Sequence, residues 1–273
     1  MRITRRTLLA GAAGAAGAAL ADASAIEPFR LRVTRHDVVV PGLPAALAGL
    51  RVAQVADVHL PGTPAVAEEA VRAIRREMPE LVLLSGDIVE HASTLPALTA
   101  FAGAVRGRIA TAAVLGNWEH KAGITPEIAR AAYGRAGVRF LCNESATVRV
   151  GSAEILITGF DDPVVGRPDA TLAGGPRRTD AVELWLIHAP AWIDTLPATV
   201  RRPAVILSGH THGGQIRLPG VTLFTPPGSG RYVSGWYRDA LAPLYVSRGI
   251  GTASVRMRFF CPPELPIFTL RRG

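Results

Sequence analysis

Cysteine, lysine and aromatic residues are all scarce in this 273-residue chain, and each scarcity removes a class of explanation. Two cysteines, Cys142 and Cys261, cannot build a disulfide framework or a closed thiolate zinc site. They are read as two separate buried thiols, with a bridge left open should the chain reach an oxidising compartment. Aromatic residues make up 6% of the chain and do not interleave with the basic pairs Arg75-Arg76, Arg177-Arg178, Arg201-Arg202 and Arg271-Arg272. A surface that stacks nucleic-acid bases needs that interleaving. The formal charge of +8 is therefore read as a solvated basic surface that favours anionic substrates, and no nucleic-acid partner is expected. Of the 30 lysine and arginine residues only Lys121 is a lysine.

Long apolar runs are missing too. The softest stretch, Ala10–Leu20, is dominated by alanine and glycine, which transfer little free energy into lipid, and it ends too early at Asp22 to cross ~30 Å of hydrocarbon. It follows Thr4-Arg5-Arg6-Thr7-Leu8-Leu9, which resembles a twin-arginine export signal, and precedes small residues at Ala21, Ala23 and Ala25. Residues 1–25 are thus expected to be a cleaved signal handled by the twin-arginine export machinery. Residues 26–273 would remain as one domain, periplasmic or extracellular. The signal carries three arginines and one aspartate, so its removal takes the formal charge from +8 to +6.

What is present is a regular series of short apolar runs bounded by polar or glycine residues. They are Leu50–Ala56, Leu81–Leu84, Ile109–Leu115, Ile155–Thr158, Val182–Ile187, Ala204–Leu207 and Leu244–Val246. Runs of this length suit strands buried on both faces. Thr63-Pro64 reads as an N-cap opening a helix over Ala65–Glu77, Leu95–Val105 as a second, and Thr125-Pro126 as the start of a third that Gly137 ends. Thr147–Thr158, with Gly151-Ser152 at its middle, reads as a hairpin. Strands alternating with helices, then a strand-rich second half, predict an α/β layered domain.

Polar residues gather at the carboxyl ends of these runs, where open α/β sheets bind their ligands. Asp57-Val58-His59, Gly86-Asp87, Gly116-Asn117-Trp118-Glu119-His120, His188 and Gly209-His210-Thr211-His212 end five of these strands. Alternation along an extended segment would put both ligands of Asp-x-His, and both of His-x-His, on one side. Carboxylate, imidazole and amide donors without thiolates suit two divalent ions such as Mn²⁺, Fe or Zn²⁺. His36 and His91 fall outside the pattern and are read as surface residues. Asp161-Asp162 either orients a neighbouring ligand or builds the turn before Pro163.

This ordered set, with Gly159-Phe160-Asp161-Asp162-Pro163 and the stretches SGHTHGGQIRLPG, YVSGWY, LYVSRGIGT and RFFCPPELPIFTL, resembles the calcineurin-like metallophosphoesterases. The likeness runs from about Arg51 to Leu270 and is greatest to the small exported branch related to UDP-2,3-diacylglucosamine hydrolases. The resemblance implies a four-layer αββα sandwich of two mixed sheets with the site at strand C-terminal ends. It implies one metal on Asp57, His59 and His212, a second on Asn117, His188 and His210, and Asp87 bridging them. Such a pair, ~3.5–4 Å apart, would activate a bridging hydroxide to cleave phosphate esters or anhydrides.

Where the family places a histidine after the motif asparagine, this chain has Trp118, and indole gives up no proton to a leaving group. Glu119 keeps the register of the family acid, and His120 becomes the candidate replacement. Arg217, Arg231, Tyr232, Arg248 and Arg256 are candidate contacts to phosphate oxygens. The expected substrate is a small phosphorylated molecule or a lipid-linked phosphate, the latter bringing peripheral contact with a membrane. A lipid-nucleotide pyrophosphatase is a narrower alternative, and a non-catalytic relative that binds metal or a phosphorylated ligand is the alternative from another class.

Overall fold

Short runs rich in branched and apolar residues cannot complete a helix, so they pair as strands and hide both faces. A computed structural model describes residues 4–174 and 181–273, and Arg177-Arg178 lie outside the described residues. Strands β1 (Arg32–Val40), β2 (Arg51–Val55), β3 (Leu81–Ser85), β4 (Ala110–Val114) and β5 (Arg139–Phe140) share one sheet. Strands β6 (Glu144–Val150), β7 (Ala153–Gly159), β8 (Ala181–Leu186) and β9 (Val205–Ser208) belong to a second. The small hairpin β10 (Arg217–Leu218) and β11 (Val221–Thr222) stands apart. Next, β12 (Gly235–Tyr237) and β13 (Leu244–Val246) extend the second sheet, and β14 (Glu264–Arg272) returns to the first. The orders are β1-β14-β2-β3-β4-β5 and β12-β13-β9-β8-β7-β6. Both sheets are mixed. Strands β2 to β5, and β7, β8, β9 and β13, run parallel, so their carboxyl ends share one rim of each sheet.

Of helices α1 (Arg5–Ala21), α2 (Pro64–Glu77), α3 (Leu95–Ala104), α4 (Asn117–Lys121) and α5 (Pro126–Arg135), α2, α3 and α5 fall where the pattern places them, whereas α1, over the expected signal, and the short α4 are not among the predicted helices. Val66, Ala70 and Ile74 of α2, Leu98 of α3 and Tyr133 of α5 pack on Val55, Leu84 and Ala113 of the first sheet. Val52, Leu83 and Val114 on its other face meet Ile157, Leu184 and Leu207 of the second sheet. Outside the second sheet, Trp185, Ile206 and Val246 are covered by Ile193 and Tyr232, from the 3₁₀ segment Pro190–Thr195 and an irregular loop. Thr125 caps α5 by accepting the Ile128 N–H. Thr63 does not cap α2; its hydroxyl is buried without a partner, and Pro64 at the first turn sets the helix instead. His36 is half-buried against Tyr245 and Phe268 rather than lying at the surface, whereas His91 is exposed. Both cysteines are free.

The expected boundary after residue 25 falls inside a packed segment. The Ala23 carbonyl accepts the Arg258 N–H at 2.8 Å, and the Glu27 carboxylate accepts the N–H of Phe260, at 2.9 Å, and that of Cys261.

One buried side chain ties the two sheets together beneath their shared rim. Gln54 of β2 donates from Nε2 to Ser85 Oγ and to the Ser208 carbonyl of β9, both at 2.9 Å. Gln54→Ala should cost about 2–3 kcal/mol, from a cavity and two deprived acceptors. Urea unfolding should show a lower midpoint at unchanged slope. An unchanged midpoint would mean these bonds contribute nothing.

Candidate metal centre

Every expected ligand sits in a loop just after a strand of a parallel core. Asp57 and His59 follow β2, Asp87 follows β3, Asn117 opens α4 after β4, His188 follows β8, and His210 and His212 follow β9. The extended geometry expected for Asp-x-His and His-x-His is not what aims them. Asp57, His59, Asp87, His210 and His212 all have positive φ, from 49° to 73°. L-residues enter that left-handed region at a cost of roughly 1–2 kcal/mol each, which persists where surrounding contacts over-determine the backbone. Each chain therefore curls, and the curl turns the donors inward. Two glycines permit the close approach: a Cβ on Gly86 would lie 2.6 Å from His188 Nδ1, and one on Gly116 would overlap the Asp87 carboxylate.

Two groups of buried donors result, Asp57 with His59 and His212, and Asp87 with His188 and His210, each with its ligand atoms within 4.8 Å of one another. Asn117 Oδ1 joins the second, 2.9 Å from His210 Nδ1 and 3.2 Å from His188 Nε2. Asp87 lies between them. Its Oδ2 is 3.0 Å from His188 Nε2 and 3.9 Å from His59 Nε2, while its Oδ1 accepts the Trp118 N–H.

The remaining contacts fix which nitrogens face inward. His188 Nδ1 donates to the Ser85 carbonyl and His210 Nε2 to the Pro227 carbonyl, both at 2.8 Å. His59 Nδ1 is held 3.0 Å from Glu90 Oε1. A carbonyl only accepts, so the opposite nitrogens of His188 and His210 present lone pairs to the site, the usual tautomer of a ligating histidine. His59 Nε2 and His212 Nε2 then meet at 2.9 Å, and His188 Nε2 and His210 Nδ1 at 3.3 Å. Asp57 Oδ2 is buried with no partner, its Oδ1 taken by the His210 N–H. Converging lone pairs and an orphaned carboxylate oxygen are what a divalent cation requires, so the donors fit a metal in each group.

The metal-free electrostatics express the same crowding. Burial pushes Asp57 up to about 6, and the buried neighbours His188 and His59 pull it back only in part. For Asp87, burial acts upward, but His188, His59 and the Trp118 N–H together outweigh it and hold the carboxyl well below the usual range. Burial and His188 push His210 down to about 4, and burial with His59 pushes His212 well down.

Glu119 touches no part of the pocket. Fully buried, it accepts the N–H groups of Asp87, Ile88, Val89 and Gly116 at 2.5–3.1 Å, so it clamps the Asp87 loop to the Asn117 loop. Burial and nearby Asp87 push its carboxyl up to about 7. His120 turns aside to Asp161 Oδ1 at 2.7 Å, a bond that raises its pKa. Asp161 and Asp162 also accept backbone N–H groups of Arg167, Val164 and Val165, so they build the turn and hold His120. Sequence reasoning missed Glu90 and Arg258. Arg258 is fully buried, donates to the Gly251, Arg248 and Cys261 carbonyls, and lies 3.4 Å from His212 Nδ1. A G-D-x-x-E spacing was the available cue for Glu90; nothing local marked Arg258.

Above the donors opens a cavity of about 590 Å³ with Asp87, Asn117, His210 and His212 at its floor. Its walls include Trp118, Ile216, Leu223, Phe224 and Val255, and Lys121 is the one lysine or arginine lining it among the described residues. Lys121 Nζ stands 5.0 Å from the Trp118 ring centroid. Neither His120 nor any of the five candidate phosphate contacts lines this cavity. Arg231 pairs with Asp239, Arg248 pairs with Glu264, and Arg256 is exposed. Tyr232 is buried, its hydroxyl donating to Asp194, and the partly buried Arg217 leaves its Nε without a partner.

An open carboxylate–imidazole–amide site of this kind belongs to a metal-dependent hydrolase. Residues 50–235 match the calcineurin-like phosphoesterase superfamily domain, and the chain belongs to that superfamily. It is 30% identical to an uncharacterised metallophosphoesterase of Bacillus subtilis, YkuE, over 99% of this chain and 98% of that one. It is 28% identical to the Escherichia coli phosphodiesterase YaeI, over 71% of each. It is 26% identical to the UDP-2,3-diacylglucosamine pyrophosphatase LpxG of Chlamydia muridarum, over 90% of this chain and 91% of the relative. The chain is a phosphoesterase.

If Asp87 serves both groups, Asp87→Ala should lose both metals, whereas His59→Ala should lose one. Elemental analysis of each variant, with far-UV circular dichroism confirming the fold, reads this directly. Full occupancy in Asp87→Ala would refute the shared role.

Proposed function

We propose that the chain hydrolyses phosphoanhydrides, or phosphodiesters with a good leaving group, at a two-metal centre whose substrates carry an apolar portion. The observation that carries the reading is the position of Asp87 Oδ2, facing both donor groups at the floor of a largely apolar cavity. Asp57, His59 and His212 would hold one ion, Asn117, His188 and His210 the other, and Asp87 both. Bound there, such ions would polarise phosphoryl oxygens and lower the pKa of a coordinated water.

The chain's own residues do the rest. Glu90 and the Ser85 and Pro227 carbonyls orient the imidazoles, and Glu119 sets the spacing of the two central loops. Trp118 takes the place where the family has a proton donor and excludes water from it. Lys121 is the cation available there, and its ammonium would stabilise negative charge on the departing oxygen without transferring a proton. The apolar walls of Leu223, Phe224 and Val255 suit an acyl or other lipid portion. The diacylated substrate for which the chlamydial relative is named supports that choice.

Without a proton donor, rates should depend steeply on leaving-group basicity. Aryl phosphodiesters and anhydrides should outpace alkyl diesters by ~10²–10⁴-fold, the usual contribution of general acid catalysis. Trp118→His should narrow that gap, and His120→Ala should leave it unchanged. Removing the charge in Lys121→Ala should lower kcat/KM by about tenfold for basic alkyl leaving groups, as expected for one hydrogen bond to a charged group, and by less for aryl ones. Equal wild-type rates for aryl and alkyl substrates would contradict the account, and metal binding with no turnover of either would mark a non-catalytic relative.

A further inference from the structure

Most of the large apolar side chains left in water among the described residues fall in two places, the N-terminal segment, with Leu8, Leu9, Ile26 and Phe29, and the surroundings of the cavity; Val39, Met78, Ile109 and Ile128 are exposed elsewhere. At the cavity rim Phe224 is 69%, Leu223 59% and Val255 48% exposed, values that belong to no folded core. Apolar patches of this kind mark a surface that meets something apolar.

The backbone joins the two places. Ile216 bridges to Phe259, the Arg217 N–H is donated to the Phe259 carbonyl, and Gln215 Nε2 donates to the Val255 carbonyl. The rim hairpin β10–β11 is thereby stitched to the loop 253–260. That loop is in turn fastened to the N-terminal segment by Ala23 accepting from Arg258 and by Glu27 accepting from Phe260 and Cys261. Phe260 is itself exposed beside Phe29's segment. Exposed Arg30 and Arg256 flank the same surface.

We propose that the cavity rim (Leu223, Phe224, Val255), the neighbouring Phe260 and the N-terminal helix α1 with its continuation to Phe29 form one surface that docks on an anionic phospholipid bilayer, opening the metal centre onto the lipid. Two features favour a bilayer over a second copy. Segment Arg5–Phe29 is helical, long enough and apolar enough to enter a membrane by length and composition, and almost wholly unburied. The arginines beside it match anionic headgroups. Helix α1 alone is a weak anchor. Its 17 residues, at ~1.5 Å each, fall short of ~30 Å of hydrocarbon. The rim must therefore share the insertion. Cleavage after Ala25 would delete both α1 and the Ala23 acceptor of Arg258, so the docked form in this proposal is the uncleaved chain.

Docking needs no hydrolysis, so its test stands apart from the catalytic reading. The full chain, reconstituted into vesicles of phosphatidylglycerol and phosphatidylethanolamine with brominated acyl chains, is compared as Phe224→Trp and Val39→Trp. Val39 is exposed on β1, seven residues from Arg32, whose N–H is held by the Pro263 carbonyl; at ~3.3 Å per residue it lies ~23 Å away. After subtraction of wild-type emission, the tryptophan at 224 should be quenched by about half, as for a side chain at the acyl boundary, and that at 39 left unquenched. Leu223→Asp introduced into Phe224→Trp should abolish the quenching while metal content stays unchanged. Equal quenching at 224 and 39 would overturn the proposal. So would burial of position 224 in a dimer, seen by light scattering before vesicles are added.

Discussion

The structure is organised around a conflict that only a cation resolves. Seven donors, all buried, converge on one another, and imidazole nitrogens of different strands come within 2.9 and 3.3 Å. Unpaired buried acceptors are costly, and buried carboxylates more so. Left without metal, the site compromises: Asp57 is driven toward its neutral form while Asp87 keeps its charge beside His188. The left-handed backbone of five ligands and the glycines that let the loops touch follow from this crowding. So does the buried Glu119, whose four accepted N–H groups hold two of those loops in register.

The convergence of the candidate ligands was legible because strand ends are. Apolar runs give the strands, parallel packing aligns their carboxyl ends, and the polar residues just beyond must meet. Alternation along a strand was nevertheless the wrong geometric reason, since positive φ at Asp57 and His210 bends the backbone away from extension. Edge strand β1 was not legible, because its polar residues alternate without an uninterrupted apolar run. Its partner β14 was obscured by Pro266, which a strand interior normally excludes. Pro266 is tolerated where β14 meets β1, which pairs with it in parallel register. The candidate phosphate-binding arginines failed for another reason. Guanidinium groups are common enough here that family stretches alone could not separate pocket residues from those paired with Asp239 or Glu264. Lys121, the exception in composition, is the cation that reaches the cavity.

Chemistry and surface then fit together. Trp118 in place of a proton donor makes one wall of the pocket apolar, and the rim continues that character outward through Leu223 and Phe224. A substrate with an apolar portion would be drawn to the same face that is proposed to dock on a bilayer. The basic surface favours its phosphate. Each property follows from a different stretch of sequence, and the hydrogen bonds from Ala23, Glu27 and Gln215 bring them into one place.

The central claim is that two ions share one carboxylate. Electron paramagnetic resonance of the protein titrated with Mn²⁺ tests it most directly, because ions bridged by a carboxylate couple magnetically. The account predicts that the six-line signal of the first equivalent gives way, at the second, to the broadened multiline spectrum of a coupled pair. Two equivalents that add as independent six-line signals, or saturation at one ion per chain, would contradict it.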